Sequence, residues 1–366
     1  MGFAEFLGNE RIVKALGGML RRERVANALL FVGPRGIGKF TLARMFAQAL
    51  NCEQLQDDFC GKCATCERIS RLANPGAMID QGLTERGESA DAATIERMPL
   101  ILEADPDVWA IVPDPVRKRN PVARPMIRMG QLRAVQRAAY FQPHGRKRVF
   151  ILDGADTMRR NDADVFLKIL EEPPESATLI LLAQRADALL PTIRSRCLTF
   201  WFAPVPAEQI ENFLEKQTEL KRAERNLAAQ LADGCPGAAV GLDLAESVRL
   251  RREALGFVSQ AAAGNSYRAV FAAAARLAKS EPESFENILG VFYSLLADLL
   301  ELSRGPKKTV PRNPDLRREL ETLAGTVSDV WITRATERLD RLEGRLRRNV
   351  GRELGLDAWA VTLGVR

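Results

Sequence analysis

Two kinds of hydrophobic pattern alternate through the first two hundred residues, and only one of them continues beyond. Short unbroken apolar runs at Leu29–Val32, Val149–Leu152, Thr178–Ala183 and Leu198–Phe202 have the length and bounding residues of buried strands. Between them the apolar positions fall at helical spacing. Residues 9–22 put Ile12, Leu16 and Leu20 on one face, and residues 131–140 predict another helix. In the stretch from 161, Asn161 is placed as a cap, Val165, Phe166, Ile169 and Leu170 face a core, and Pro173-Pro174 stop the helix. Strands alternating with helices predict an α/β module with a parallel sheet over residues 1–203.

After Pro204 and Pro206 no strand-like run occurs. Residues 204–245 predict a group of short helices. From 246 to 366 the pattern is helical and amphipathic, at 248–263, 266–279, 283–303, 315–325 and 329–348. A basic, proline-rich connector at 305–314 interrupts it, and no heptad persists long enough for a coiled coil. Within the first module, residues 67–128 are weakly patterned and are expected to be an irregular insertion, with a short helix at 92–98. Its proline- and arginine-rich end carries Arg117, Lys118, Arg119, Arg124 and Arg128, either solvated or in contact with nucleic acid.

The densest chemistry lies in Ala28–Leu50. A strand feeds a glycine-rich turn with Gly33, Gly36 and Gly38, then Lys39 and a helix. Glycines let backbone N–H groups close around a phosphate, and the helix N-terminus adds partial positive charge. This predicts a nucleotide site for ATP or ADP, with Lys39 on the β- and γ-phosphates. Where a hydroxyl should hold Mg²⁺ the chain has Phe40; Thr41 follows about 100° further round the helix. Asp153, ending an apolar strand, has the Walker B position, but Gly154 follows where a hydrolysing enzyme carries glutamate. The plainer alternative for Asp153 is a turn residue after a buried strand. Nucleotide binding without turnover, or a vestigial loop, follows from these losses.

Cys52, Cys60, Cys63 and Cys66 place four soft ligands within fifteen residues. In a reducing compartment such a cluster favours tetrahedral, structural Zn²⁺, the alternative being four unpaired thiols. Cys197 and Cys235 read as small buried apolar residues. A net charge of +6 suits an anionic partner. The single histidine, His144, leaves almost no material for triad hydrolysis or histidine-based metal catalysis, and the few scattered aromatics argue against a base-stacking platform. Trp201 is expected in the core. With an acidic, amphipathic N-terminus and no membrane-length apolar run, the expected location is cytoplasmic.

Taken in order, GPRGIGK, the four cysteines, LKILEEPP and SRC resemble the replicative clamp loaders of bacteria, of the AAA+ class, over residues 28–200. The resemblance is nearest to the delta-prime type of subunit in the DNA polymerase III holoenzyme. It implies an AAA+ P-loop module, a zinc knob, a helical lid (204–245) and a helical collar (246–366). It also implies that Arg196, in SRC, enters the ATP site of a neighbouring subunit. The expected partners are gamma/tau and delta subunits in a hetero-pentamer, the sliding clamp and primer–template DNA, with no membrane. A gamma/tau ATPase shares these motifs, but should keep the Mg²⁺ hydroxyl, an acidic Walker B pair and a lid arginine where Ala238 and Ala239 stand. Phe40, Gly154 and the two alanines therefore favour the delta-prime type. An active gamma/tau-type ATPase and a zinc-dependent DNA-binding protein remain alternatives. Arg341, Arg345, Arg347, Arg348 and Arg352, interleaved with Glu343 and Glu353, read as a solvated or interface face.

Overall fold

The computed structural model describes residues 2–87, 90–115, 125–264, 267–279, 282–305, 311–346 and 350–364. The chain forms two compact units, one of Met1–Gln209 with Gly234–Ala238, the other of Ile210–Asp233 with Ala239–Arg366. Segment 204–245 thus contributes to both.

The first unit is built on a six-stranded sheet of β1 (Ala28–Val32), β2 (Leu102–Asp105), β3 (Val108–Ile111), β4 (Arg148–Asp153), β5 (Ala177–Ala183) and β6 (Leu198–Trp201), in the order β2-β3-β4-β5-β1-β6. All neighbours are parallel except the β2–β3 hairpin. Central strands β1 and β5 are buried along their whole length, as a sheet covered on both faces requires. Helices α1 (Glu10–Arg21), α2 (Lys39–Asn51), α3 (Ala64–Ser70), α4 (Gly76–Arg86), α5 (Ala92–Arg97), α6 (Met129–Ala139), α7 (Arg160–Glu171) and α8 (Pro191–Arg194) complete the unit. One core joins Leu30, Phe150, Leu152 and Leu181 of the sheet to Leu132, Val135, Phe166 and Ile169 of α6 and α7.

Three expectations need correction. Residues 67–128 are not an irregular insertion: they hold helices as well as β2 and β3, which extend the sheet. Strand β3 pairs with β4 and β2 takes the edge, against which α3 and α4 pack. Arg117, Lys118, Arg119 and Arg124 lie outside the described residues. Arg128 lies 3.8 Å from the buried Asp114 carboxylate, which accepts a hydrogen bond from Arg86 at 2.8 Å. Trp201 is not core: it ends an edge strand that pairs only with β1, and it is 66% exposed. Asn161 does not cap α7, because the helix already starts at Arg160 with Arg159 as its N-cap. The side chains of Asn161 and Val165 are outside the described residues, whereas Phe166 and Ile169 are fully buried.

The second unit is helical, with α9 (Ala207–Gln217), which begins at the end of the first, α10 (Arg222–Leu231), α11 (Pro236–Val240), shared with the first, α12 (Leu244–Ala263), α13 (Tyr267–Ala278), α14 (Pro282–Arg304), α15 (Arg317–Ala324), α16 (Asp329–Leu346) and α17 (Arg352–Leu363). Trp359 of α17 stacks on Phe257 at 5.6 Å and meets Phe292 edge-on at 4.7 Å, and its Nε1 donates to the Ala335 carbonyl. In the same helix the Arg352 guanidinium sits 5.1 Å from the Phe285 ring centre. Arg347 and Arg348 are outside the described residues. Among the described residues no helix is long and apolar enough to cross a membrane.

Candidate functional site

Strands β1 and β4 flank β5, so Gly33 and Asp153 emerge at the same carboxyl edge of the sheet, where ligands of open α/β sheets bind. Gly36 has φ +80 and Gly38, the N-cap of α2, φ +102, conformations that favour glycine. Gly36 is also pressed from outside. The Gly237 N–H donates to its carbonyl at 2.8 Å, and a Cβ on Gly36 would meet the Ala238 nitrogen at 2.8 Å.

Lys39 is buried and turned back onto its own loop, donating to the carbonyls of Gly33 at 2.6 Å and Pro34 at 2.9 Å. Burial lowers its pKa, against the pull of Asp153, Asp156 and Cys235. Burial likewise raises the Asp153 carboxyl, opposed by Lys39. Each group is thus shifted towards its neutral form. Phe40 is half-buried and Thr41 is exposed. Beside Asp153, Gly154 has φ +70, and a Cβ there would approach Pro113 Cγ to 2.9 Å. This backbone disfavours a glutamate twice over. Asp156 is used structurally: its Oδ2 accepts the Gln184 N–H at 3.1 Å.

Arg196 follows α8, a one-turn helix begun by Pro191. Its guanidinium bonds the Glu171 carboxylate at 2.9 Å and the Thr192 carbonyl at 2.9 Å. Glu171 is the first glutamate of LKILEEPP, so the two motifs meet in space.

The four sulfurs of Cys52, Cys60, Cys63 and Cys66 all lie within 4.8 Å of one another. Five backbone N–H groups point at three of them: Leu55 and Cys60 at Cys52, Lys62 and Cys63 at Cys60, and Cys66 at Cys63. The Lys62 N–H leads in bringing the Cys60 thiol down to about 7, while burial pushes Cys66 up. An all-thiol donor set with N–H groups supporting sulfur charge fits a tetrahedral soft metal such as Zn²⁺.

The family model for "DNA polymerase III, delta subunit" matches residues 8–206, more than half of the chain. The chain belongs to the DNA polymerase III delta-subunit family. It is also similar to the DNA polymerase III subunit gamma of Buchnera aphidicola, 28% identical over 58% of this chain and 48% of that protein. With the subunit tau of Escherichia coli it is 30% identical over 58% of this chain and 27% of that protein. The chain thus spans between about a quarter and a half of the curated relatives it matches. Among solved structures, Thermotoga maritima RuvB aligns with a TM-score of 0.39 at 15% identity, covering 88% of this chain and 86% of that one. That likeness is too loose to bear on function.

This member of the delta-subunit family carries two features that sequence reading did not single out. Arg133, Gln136 and Arg137 of α6 and Lys168 of α7 line a concavity of about 350 Å³. The signal was present as basic residues at helical spacing on two neighbouring helices. The second is the set of contacts made by Phe3 and Phe6, which no local pattern announces.

Proposed function

We propose that this chain is a delta-prime-type clamp-loader subunit: an AAA+ P-loop module (1–203), a lid (204–245) and a collar (246–366) in a hetero-pentamer with gamma/tau and delta subunits. In this reading it helps to load a sliding clamp onto primed DNA as a stator, supplying Arg196 to a neighbour's ATP without turning over ATP itself. The observation that carries the reading is the backbone at Gly154. A left-handed φ against Pro113 leaves the position of the water-polarising glutamate unsuited to that residue, while the trans-acting arginine is kept. Phe40 in place of the Mg²⁺-binding hydroxyl and Lys39 tied to its own loop support the same conclusion.

In such an assembly Cys52, Cys60, Cys63 and Cys66 would hold structural Zn²⁺, which supplies a rigid cross-link and no chemistry. Gly33, Gly36, Gly38, Lys39, Phe40, Thr41 and Asp153 would form a nucleotide site that is vestigial or binds without hydrolysis. The guanidinium of Arg196 has the charge and planar donors to stabilise a transferring γ-phosphoryl, an effect of about 10³–10⁵ in rate where enzymes use it. The basic concavity of Arg133, Arg137 and Lys168 has the charge to meet a phosphate backbone.

A second reading, a gamma/tau-type ATPase, is favoured by the names of the curated relatives and by the retained Lys39. The deciding experiment measures ATP turnover of the pentamer reconstituted with clamp and primed DNA. Under the stator reading Arg196→Ala depresses turnover and Lys39→Ala changes it little. The reverse pattern, with Lys39→Ala removing most turnover, would make this chain the ATPase.

A further inference from the structure

Residues 2–6 form a short strap tied at its two ends to different loops. At one end, Asp58 Oδ1 accepts the N–H of Phe3 at 3.1 Å and that of Phe59 at 2.8 Å. The buried Phe3 ring meets Phe59 edge-on at 5.8 Å. Asp58 and Phe59 immediately precede Cys60. At the other end the Phe6 ring lies on the phosphate loop: a Cβ on Gly38 would come within 3.0 Å of its Cε2 and Cζ. Phe6 also meets Phe202 edge-on at 6.5 Å. Just beyond, Asn9 exchanges two hydrogen bonds with the Ala203 backbone, at 3.1 and 2.8 Å.

Helix α2 joins the same two loops through the interior, with Gly38 as its N-cap and Cys52 as its C-cap. Helix and strap thus join the same two loops by separate paths. Four thiolates on one metal would hold residues 52–66 in a single geometry and so fix Asp58. Without that cross-link the loop gains conformational entropy and the strap loses its anchor.

We propose that the Gly2–Phe6 strap makes the phosphate loop respond to the state of the four-cysteine loop, with Asp58 as the positioning residue that transmits the change. The metal half of the proposal rests on the zinc reading above; the strap half rests on geometry alone.

Hydrogen exchange followed by mass spectrometry on the full chain separates the two. Asp58→Ala, which keeps all four cysteines, should retain one equivalent of metal. It should raise exchange about tenfold in peptides covering both 2–6 and 33–41. Phe6→Ala should raise exchange in 33–41 to a similar extent, and chelation of the parent chain should reproduce the Asp58→Ala pattern. Faster exchange confined to 2–6 in Asp58→Ala, with 33–41 at the parent rate, would overturn the proposal whatever Phe6→Ala does. A chain that carries no metal when purified without chelator would overturn the zinc reading and the metal half, while the two variants would still decide the strap half.

Discussion

The ammonium of Lys39 donates to the Gly33 carbonyl at 2.6 Å, so the residue best placed to hold a phosphate is tied to the loop that would receive it. The same ammonium is the largest influence opposing the upward shift of the Asp153 carboxyl, ahead of the Gly154 backbone hydrogen bond and the Arg35 charge. Replacing Lys39 by Met should therefore let the Asp153 pKa climb further. A carboxyl whose folded pKa lies above its ordinary 3.8 is most favourable at low pH, and its contribution is lost as pH rises past that ordinary value. Lys39→Met should lose stability relative to the parent as pH rises above about 4, because the buried carboxyl has lost the largest influence that favours its charged form. Lys39 itself, its pKa lowered from 10.5 by burial, adds stability to the parent as pH climbs towards 10.5, and the variant lacks that gain. Urea midpoints across this range check the prediction; parallel curves for parent and variant would refute it.

Arg196 and Glu171 form an ion pair with side chains 34% and 50% exposed. Glu171→Gln should change stability by less than about 1 kcal/mol, because solvent screens such a pair. If Arg196 serves a neighbour's ATP as proposed, Glu171→Gln should leave stimulated turnover of the reconstituted complex at or above the parent level, since the guanidinium is kept and loses only one of its two partners. Arg196→Lys should lose most of that turnover although the charge is kept, because an ammonium cannot reproduce the planar fork. Full activity in Arg196→Lys would mean that charge alone suffices.

The cysteine cluster predicts one tightly held metal per chain. Co²⁺ exchanged into the site should give the intense thiolate-to-metal absorption and tetrahedral visible bands of a four-sulfur site, weakened in Cys60→Ser. Stripping the metal should lower the thermal midpoint of the first unit, since binding energy is folding energy in such loops. Less than a tenth of an equivalent of metal in freshly purified protein would contradict this.

Cys197 is half-buried rather than buried like Cys235, and desolvation pushes its thiol from 9.0 to about 12. Near pH 8 its thiolate fraction should be about 10³-fold below that of the unfolded chain, and alkylation should slow accordingly. Because the folded pKa is raised, Cys197 lends stability below pH 9 that is lost as pH rises from 9 towards 12. Peptide mapping after iodoacetamide treatment, native against urea-unfolded, reads the ratio directly; equal rates would show that the thiol is not shielded.

The features legible in the sequence were those that single contiguous segments encode. Strands β1, β4 and β5 are unbroken apolar runs because both faces of the sheet are covered, so their burial shows in every residue. The glycine-rich turn and Lys39 lie within seven positions, and the four cysteines within fifteen. A loop that closes on an anion or a metal brings its own ligands together. Helix α17 was not foreseen, although Leu356, Trp359, Ala360 and Leu363 lie on its buried side.

What the tertiary structure decided depends on partners far apart in the chain. Four-residue strands such as β2 and β3 are too short for a period to declare itself, and they exist as strands because β4 supplies the hydrogen bonds for β3 and α3 and α4 cover β2. Trp201 reads as core by composition, yet its strand lies at an edge, and edge position is a property of the sheet rather than of the residue. Gly154 meets Pro113 across forty-one positions, and Phe3 meets Asp58 across fifty-five. Local patterning records which residues avoid water. It carries no record of which distant backbone they meet when they do, and it is those meetings that set Gly154 against Pro113 and tie the strap to the cysteine loop.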